Sequence, residues 1–318
     1  MIPKPQTTKK NKIFNFSVIL FAVLLLIFFF YPGQNIYQTV TLEKRPLVSA
    51  FNTAVPTVAP YPVNATKILP PDLTSQAILV VDIPSGVILF QKNPQVKLSP
   101  ASTTKIMTAL VAMDYFKMDD ILTVKTVITE GRAMGLASGD KLTFENLLYG
   151  TLVHSGNDAA FAIAENYSGG VDNFVKKMNA KAKDIYLLDT SFANPVGFED
   201  SHHFTTAKDL ARLATYALNN SYIAKIVGTP DITVADVNFT KFYRLENVNE
   251  LLGKIPGVLG VKTGWTENAG ECLVTAVTRD SRKILLVVLD SKDRFGETET
   301  LINWVFANYN WNNFSPQS

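Results

Sequence analysis

The feature that most constrains this chain is the run KIFNFSVILFAVLLLIFFFY, Lys12 to Tyr31, which is apolar at nearly every position. At a helical rise of about 1.5 Å per residue it is long enough to cross a hydrocarbon core of about 30 Å. As a soluble core helix it would need a complete protein shell, because no face of it is polar. Lys4, Lys9, Lys10 and Lys12 precede it with no acidic residue among them. The positive-inside rule then keeps that end cytoplasmic and exports everything after Tyr31. Two readings fit, an uncleaved anchor and a cleaved signal peptide. The length and bulk of the run, and a following PGQNIYQTV without a small-x-small site, favour the anchor. Under either reading the rest of the chain works outside the cytoplasm.

That remainder is long enough for a sizeable core: the chain has 318 residues, 47% of them apolar. A formal charge of +2 without long Lys/Arg runs lacks the electrostatic footprint of a nucleic-acid surface. The single cysteine, Cys272, excludes an internal disulfide and any multi-cysteine metal site. It lies in the strand-like run ECLVTAV and reads as a buried packing residue.

The organisation follows from composition and periodicity. Residues 1–12 form a basic tail and 13–31 the anchor. Residues 32–71, rich in proline and without sustained periodicity, read as an extracytoplasmic linker with room for a short strand near Tyr37 to Leu42. Residues 72–310 read as the functional domain and 311–318 as a short tail. In that domain AILVVD (Ala77 to Asp82) and VILF (Val87 to Phe90), joined by IPSG, predict a hairpin. In LSPASTTKIMTAL, Ser99 as N-cap and Pro100 at the first helical position predict a helix whose apolar stripe is Ile106, Met107, Leu110 and Val111. Helices also follow Thr143, occupy NDAAFAIAENY and VDNFVKKMNAKAKDIYL, and follow Thr206, which stands in capping-box spacing with Asp209. The tail returns to strands in LGVKTG, ECLVTAVT and KILLVVLD, closed by a helix in ETETLINWVFANY. Ile284 to Leu289 lacks alternation, which predicts a strand covered on both faces. Strands at both ends with helices between them make an α+β domain, an antiparallel sheet flanked by helices with an inserted helical subdomain.

The chain holds two Ser-x-x-Lys pairs, and context separates them. Ser138 and Lys141 lie in ASGDKL, where Gly139 and Asp140 predict a turn. Ser102 and Lys105 lie in the first two turns of the predicted helix, on one face. A serine hydroxyl becomes a nucleophile only when a base takes its proton, and a lysine serves only if its pKa falls far below the free value. Burial and the positive end of a helix both push it that way. The first-turn amide of Ser102 is also free to donate to an oxyanion. Two further motifs follow in order: Ser155-Gly156-Asn157, a hydroxyl and an amide, and Lys262-Thr263-Gly264, a cation and a hydroxyl at a strand edge with a glycine permitting close approach of a substrate.

Together these three motifs are characteristic of penicillin-binding proteins and serine β-lactamases. The chain resembles the low-molecular-mass penicillin-binding proteins that act as serine-type D-Ala-D-Ala carboxypeptidases. The resemblance runs from about Thr74 to Tyr309 through SPASTTKIMTAL, LLYGTLVHSGNDAA, NPVGFEDSHHFTTAKDLA, GVKTGWTENAGECLV and RFGETETLINWVF. It implies a hydrolase that needs no cofactor and no metal and acts by an acyl-enzyme on peptidoglycan stem peptides ending in D-Ala-D-Ala, with β-lactams as covalent inhibitors. It implies Ser102 as nucleophile, Lys105 as general base and Ser155 as proton relay. Substrate binding falls to Asn157, Lys262, Thr263, Gly264, Trp265 and Arg294, and the amides of Ser102 and Trp265 form the oxyanion hole. The implied location is the bacterial cell membrane, single-pass, with the domain extracytoplasmic.

Departures from the family pattern matter. The chain stops soon after Tyr309, so attachment would fall to the N-terminal run in place of a C-terminal membrane helix. His154, His202 and His203 lack a His-Glu-x-x-His pattern and read as structural or loop residues. A class A β-lactamase needs Glu-x-x-x-Asn between the second and third motifs; Glu246 and Asn249 are one position too near. A D,D-endopeptidase uses the same residues and stays open, as does a non-catalytic wall-binding module.

Overall fold

The computed structural model describes residues 10–30 and 60–312. The chain divides into two units, Met1–Thr57 and Val58–Ser318. In the first, helix α1 (Lys10–Phe30) exposes every side chain from Phe16 to Phe30. Among the described residues no helix is long and apolar enough to cross a membrane. The strand expected near Tyr37 to Leu42 lies outside the described residues.

The second unit begins with β1 (Tyr61–Asn64), β2 (Ala77–Asp82) and β3 (Ile88–Lys92). A 3₁₀ turn, Ala101–Thr104, leads into α2 (Lys105–Met113), followed by β4 (Ile121–Thr123) and β5 (Lys141–Thr143). The helical segment comprises α3 (Phe144–Leu152), α4 (Asn157–Asn166), α5 (Gly170–Asp184), α6 (Ala207–Leu218) and α7 (Ser221–Val227). Then come β6 (Asp231–Ala235), β7 (Phe242–Glu246), β8 (Val258–Thr266), β9 (Gly270–Arg279), β10 (Arg282–Ser291), α8 (Arg294–Asn308) and β11 (Tyr309–Asn312).

Five strands form one antiparallel sheet in the order β3-β2-β10-β9-β8. Its centre is therefore built from both ends of the unit, and β8 lies on an outer edge. The unbroken apolar run in β10 is covered on both faces, as its lack of alternation predicts. Leu285, Val287 and Leu289 join the core shared with α2 and α6, whereas Ile284, Leu286 and Val288 join the core made with Leu301, Ile302 and Val305 of α8. The α+β architecture read from the sequence is the one observed.

Local signals fix most helix starts. Thr143 Oγ1 accepts from Asn146 N at 3.2 Å, and Thr206 Oγ1 accepts from Asp209 N at 3.0 Å. Only half of the expected capping box forms at α6, because the Asp209 carboxylate accepts from Asp189 N and Thr190 Oγ1 instead of reaching back.

Three expectations are corrected. Ser99 is not a cap: its hydroxyl is buried without a partner, Pro100 caps a 3₁₀ turn, and the α-helix itself starts at Lys105. Ala101, with φ 46°, places a left-handed residue where a regular helix would have begun. Tyr61–Asn64, read as linker, pairs antiparallel with Tyr309–Asn312, so a contact distant in sequence orders it. Helix α8 starts at Arg294, capped by Asp293 Oδ1 accepting from Gly296 N at 2.9 Å, three residues before the expected start at Glu297. The hairpin of β6 and β7 was not anticipated, and it is held partly by Asn146 Nδ2 donating to Ala235 O at 2.8 Å.

Candidate active site

The 3₁₀ turn, the α3–α4 junction and the outer strand β8 meet at a cleft of about 810 Å³. Ser102, Ser155, Asn157, Thr263, Gly264, Trp265 and Arg294 all line it. Lys105 and Lys262 lie behind that wall, 0% and 2% exposed. Residues from the three motifs, up to 160 positions apart between Ser102 and Lys262, are thus brought to one place.

Lys105 Nζ lies 2.8 Å from Ser102 Oγ, 2.6 Å from Asn157 Oδ1 and 2.9 Å from Val196 O. Burial lowers its pKa to about 7, against a smaller upward pull from Asp158. A neutral amine has two N–H donors and one lone pair. Asn157 Oδ1 and Val196 O are acceptors only, so they take the two N–H bonds. The lone pair is left to accept the Ser102 hydroxyl proton, which is the arrangement nucleophilic attack requires.

Lys262 Nζ donates to Ser155 Oγ at 2.7 Å and to Thr263 O at 3.0 Å. Burial holds its ammonium well below the ordinary lysine range, and Lys105, Arg294 and Arg132 add repulsion. Ser155 sits between α3 and α4 with φ 62°, a region that non-glycine residues rarely occupy. Both site serines therefore adjoin or occupy left-handed backbone, since Ala101 precedes Ser102. Such conformations persist where surrounding structure over-determines them.

Gly264 has a packing role beside the expected one. A Cβ there would lie 3.0 Å from Ala101 Cβ and 3.1 Å from both Pro100 O and Ser102 N. The absent side chain therefore admits the turn bearing the nucleophile as well as bordering the cleft. Trp265, beyond it, is 64% exposed. Arg294 Nη1 donates to Gly264 O at 2.7 Å, while its Nε has no partner.

The sequence reading missed several residues that hold this arrangement. Asp158 is fully buried and accepts from the amides of Met134, Gly135 and Leu136 at 2.9–3.0 Å. Asn194 Oδ1 accepts from Val196, Gly197 and Phe198, fixing the loop that supplies a carbonyl to Lys105. Glu130 and Arg132 line the cleft from a segment to which the sequence reading assigned no element. Asp158 and Asn194 adjoin or lie within blocks of the resemblance, which was the only available signal; nothing in the local pattern marked Arg132.

The histidines occupy separate environments. Ala193 N donates to His203 Nδ1 at 3.3 Å, which leaves Nε2–H to donate to Thr104 Oγ1 at 2.8 Å. Burial lowers the His203 pKa to about 4, so the ring is neutral and links the 3₁₀ turn to the next loop. His202 is exposed beside Asp200, and His154 is half-buried. Cys272 is buried, and burial pushes its thiol up to about 12. Ser138 Oγ donates to Lys125 O at 3.1 Å on an exposed turn, and Lys141 lies in β5.

A family described as D-alanyl-D-alanine carboxypeptidase matches residues 64–293. The chain belongs to the D-alanyl-D-alanine carboxypeptidase family. It is 35% identical over 245 residues to the D-alanyl-D-alanine carboxypeptidase DacF of Bacillus subtilis, covering 74% of this chain and 63% of that one. It is 33% identical over 274 residues to a D-alanyl-D-alanine endopeptidase of Pseudomonas aeruginosa, covering 83% and 87%. Among solved structures, the Streptomyces K15 DD-transpeptidase is 31% identical with a TM-score of 0.72, covering 76% of this chain and 100% of that one. Penicillin-Binding Protein D2 from Listeria monocytogenes, in its ampicillin-bound form, is 26% identical with a TM-score of 0.66, covering 74% and 100%. Proteins similar to this carboxypeptidase-family chain are thus named as a carboxypeptidase, an endopeptidase and a transpeptidase.

Proposed function

We propose that the chain is a membrane-anchored serine D-Ala-D-Ala carboxypeptidase that removes the terminal D-alanine from peptidoglycan stem peptides. The observation carrying this reading is Lys105, buried, with its Nζ 2.8 Å from Ser102 Oγ and its pKa lowered by burial to about 7. In the reaction Lys105 takes the Ser102 proton as Oγ bonds to the carbonyl carbon of the penultimate D-alanine. The amides of Ser102 and Trp265 receive the oxyanion. The proton passes through the Lys105, Ser155 and Lys262 set to the leaving amine, free D-alanine departs, and water then hydrolyses the ester. Thr263 and Arg294, which line the cleft, with Lys262 behind them, would hold the terminal carboxylate. A β-lactam would enter the same sequence and stop at the ester, a reading supported by the ampicillin-bound relative.

The anchoring part of the proposal is supported by the apolar run from Lys12 to Tyr31 and by Lys4, Lys9, Lys10 and Lys12 at its start, and under it residues 72–310 would lie outside the cell membrane. The match to an endopeptidase supports a second reading, cleavage of crosslinks by the same residues.

Labelling with a fluorescent penicillin tests the nucleophile: wild type labels and Ser102→Ala does not. Equal labelling of the two would remove Ser102 from the mechanism. Incubation with a pentapeptide and with a crosslinked dimer separates the two substrates, with D-alanine release expected from the pentapeptide alone.

A further inference from the structure

One cation of the cleft has no place in the reaction just described. Arg132 lines the cleft beside Glu130 and Gly131, and its guanidinium has no hydrogen bond or ion pair among the described residues. A solvent-facing arginine is commonly no more than a solvated charge. The backbone here is different, because the second catalytic motif fixes it. Asn157 N donates to Arg132 O at 2.7 Å, and Asn157 Nδ2 donates to Glu130 O at 2.8 Å. Gly131 between them has φ 71°, and a Cβ there would lie 2.7 Å from Asn157 Nδ2. The same asparagine that binds Lys105 therefore sets the position from which Arg132 extends. Its charge also reaches the site, since it contributes to the lowered proton affinity of Lys262 and His154.

The terminal carboxylate of the substrate already has Lys262, Thr263 and Arg294. The five donors of Arg132 remain free, and their planar fork suits a carboxylate. Three carboxylates, Glu130, Glu199 and Glu267, line the same cleft. Without a compensating cation they would repel any further acidic group on the substrate.

We infer that Arg132 is a specificity residue that binds a second carboxylate of the stem peptide, separate from the terminal one. This rests on the carboxypeptidase reading. Two groups of a stem peptide supply that chemistry: a carboxylate on the side chain of the third residue, as in a diamino dicarboxylic acid, and the free α-carboxylate of a γ-linked glutamate before it.

The test uses the full chain in detergent and three pentapeptides ending in D-Ala-D-Ala. One has diaminopimelate third with the glutamate carboxylate amidated, one has lysine third with that carboxylate free, and one has lysine third with it amidated. Active sites are counted with labelled penicillin, so a partly folded variant is corrected for. For wild type, kcat/KM on one of the first two peptides exceeds that on the third by about tenfold or more, chiefly through KM, as expected for one charge-assisted pair. Which of the two is preferred identifies the carboxylate. In Arg132→Gln the ratio falls to about one, and Arg132→Lys keeps part of it. Equal kcat/KM on all three peptides for wild type, or a ratio unchanged in Arg132→Gln, overturns the inference and leaves the carboxypeptidase reading intact. No D-alanine release by wild type from any peptide defeats that reading and the inference with it.

Discussion

Lys262 Nζ donates to Ser155 Oγ at 2.7 Å, just as Lys105 Nζ meets Ser102 Oγ at 2.8 Å. Each of the two buried amines is thus paired with a serine, and no carboxylate lies within salt-bridge reach of either among the described residues. Burying an unpaired ammonium is costly, so such groups shift toward neutrality. Under the proposed mechanism these two amines and their hydroxyl partners would carry the proton from Ser102 to the leaving amine.

Removing the second hydroxyl breaks that path. Ser155→Ala is expected to lower kcat/KM for D-alanine release by about a hundredfold or more, in the range of a lost acid–base group. Penicillin labelling followed in time separates slow acylation from unfolding. A variant that releases D-alanine at the wild-type rate would remove Ser155 from the relay.

The acid limb of the rate profile belongs to Lys105. Only the neutral amine takes the Ser102 proton, so acylation falls about tenfold per pH unit below the pKa of about 7. Asp158 raises that pKa, so Asp158→Asn moves the limb to lower pH. Stability has a matching sign. The folded value lies below the unfolded value of about 10.4, so between them the unfolded chain binds more protons and stability rises with pH. Rates of penicillin acylation from pH 5 to 9 check the limb, and urea midpoints from pH 7 to 10 check the stability; Lys105→Met is expected to reduce that rise and leave the part due to buried Lys262.

Two glycines with left-handed backbone separate local strain from collision. A Cβ on Gly197 (φ 96°) would lie 1.9 Å from Ala101 O, beside the nucleophile, whereas a Cβ on Gly86 (φ 71°) meets nothing within 4 Å. Gly86→Ala is expected to cost about 1–2 kcal/mol, the backbone penalty alone. Gly197→Ala is expected to cost more and to abolish labelling, because the turn at Ala101 must move. Thermal melts and penicillin labelling of both variants make the comparison.

Ser138→Ala is expected to label and turn over like wild type, since its hydroxyl only donates to Lys125 O on an exposed turn. A loss of labelling comparable to Ser102→Ala would show that the wrong Ser-x-x-Lys pair has been placed at the site.

The sheet strands, the hairpin of β2 and β3 and the helix caps Thr143 and Thr206 were legible in the sequence because each depends on neighbours within about a dozen residues. The strand covered on both faces was legible in Ile284 to Leu289 for the same reason. The strand β1 was not, because Tyr61–Asn64 pairs with Tyr309–Asn312. Ser99 carried every sign of an N-cap, yet Ala101 adopts φ 46° and a 3₁₀ turn forms in its place.

The site divides along the same line. The sequence by itself determined which residue types are present and in what order: Ser102 with Lys105, Ser155 with Asn157, and Lys262 with Thr263 and Gly264. It also determined an N-terminal run, Lys12 to Tyr31, that is apolar at nearly every position. Only the tertiary structure decided that Lys105 is buried against two acceptors and so left with a lone pair for Ser102. It also decided that Gly264 makes room for the nucleophile's turn, and that Asn157 fixes Arg132 at the edge of the cleft. Proton affinity and steric fit are properties of what surrounds a side chain, and in this chain those surroundings come from segments far apart in sequence.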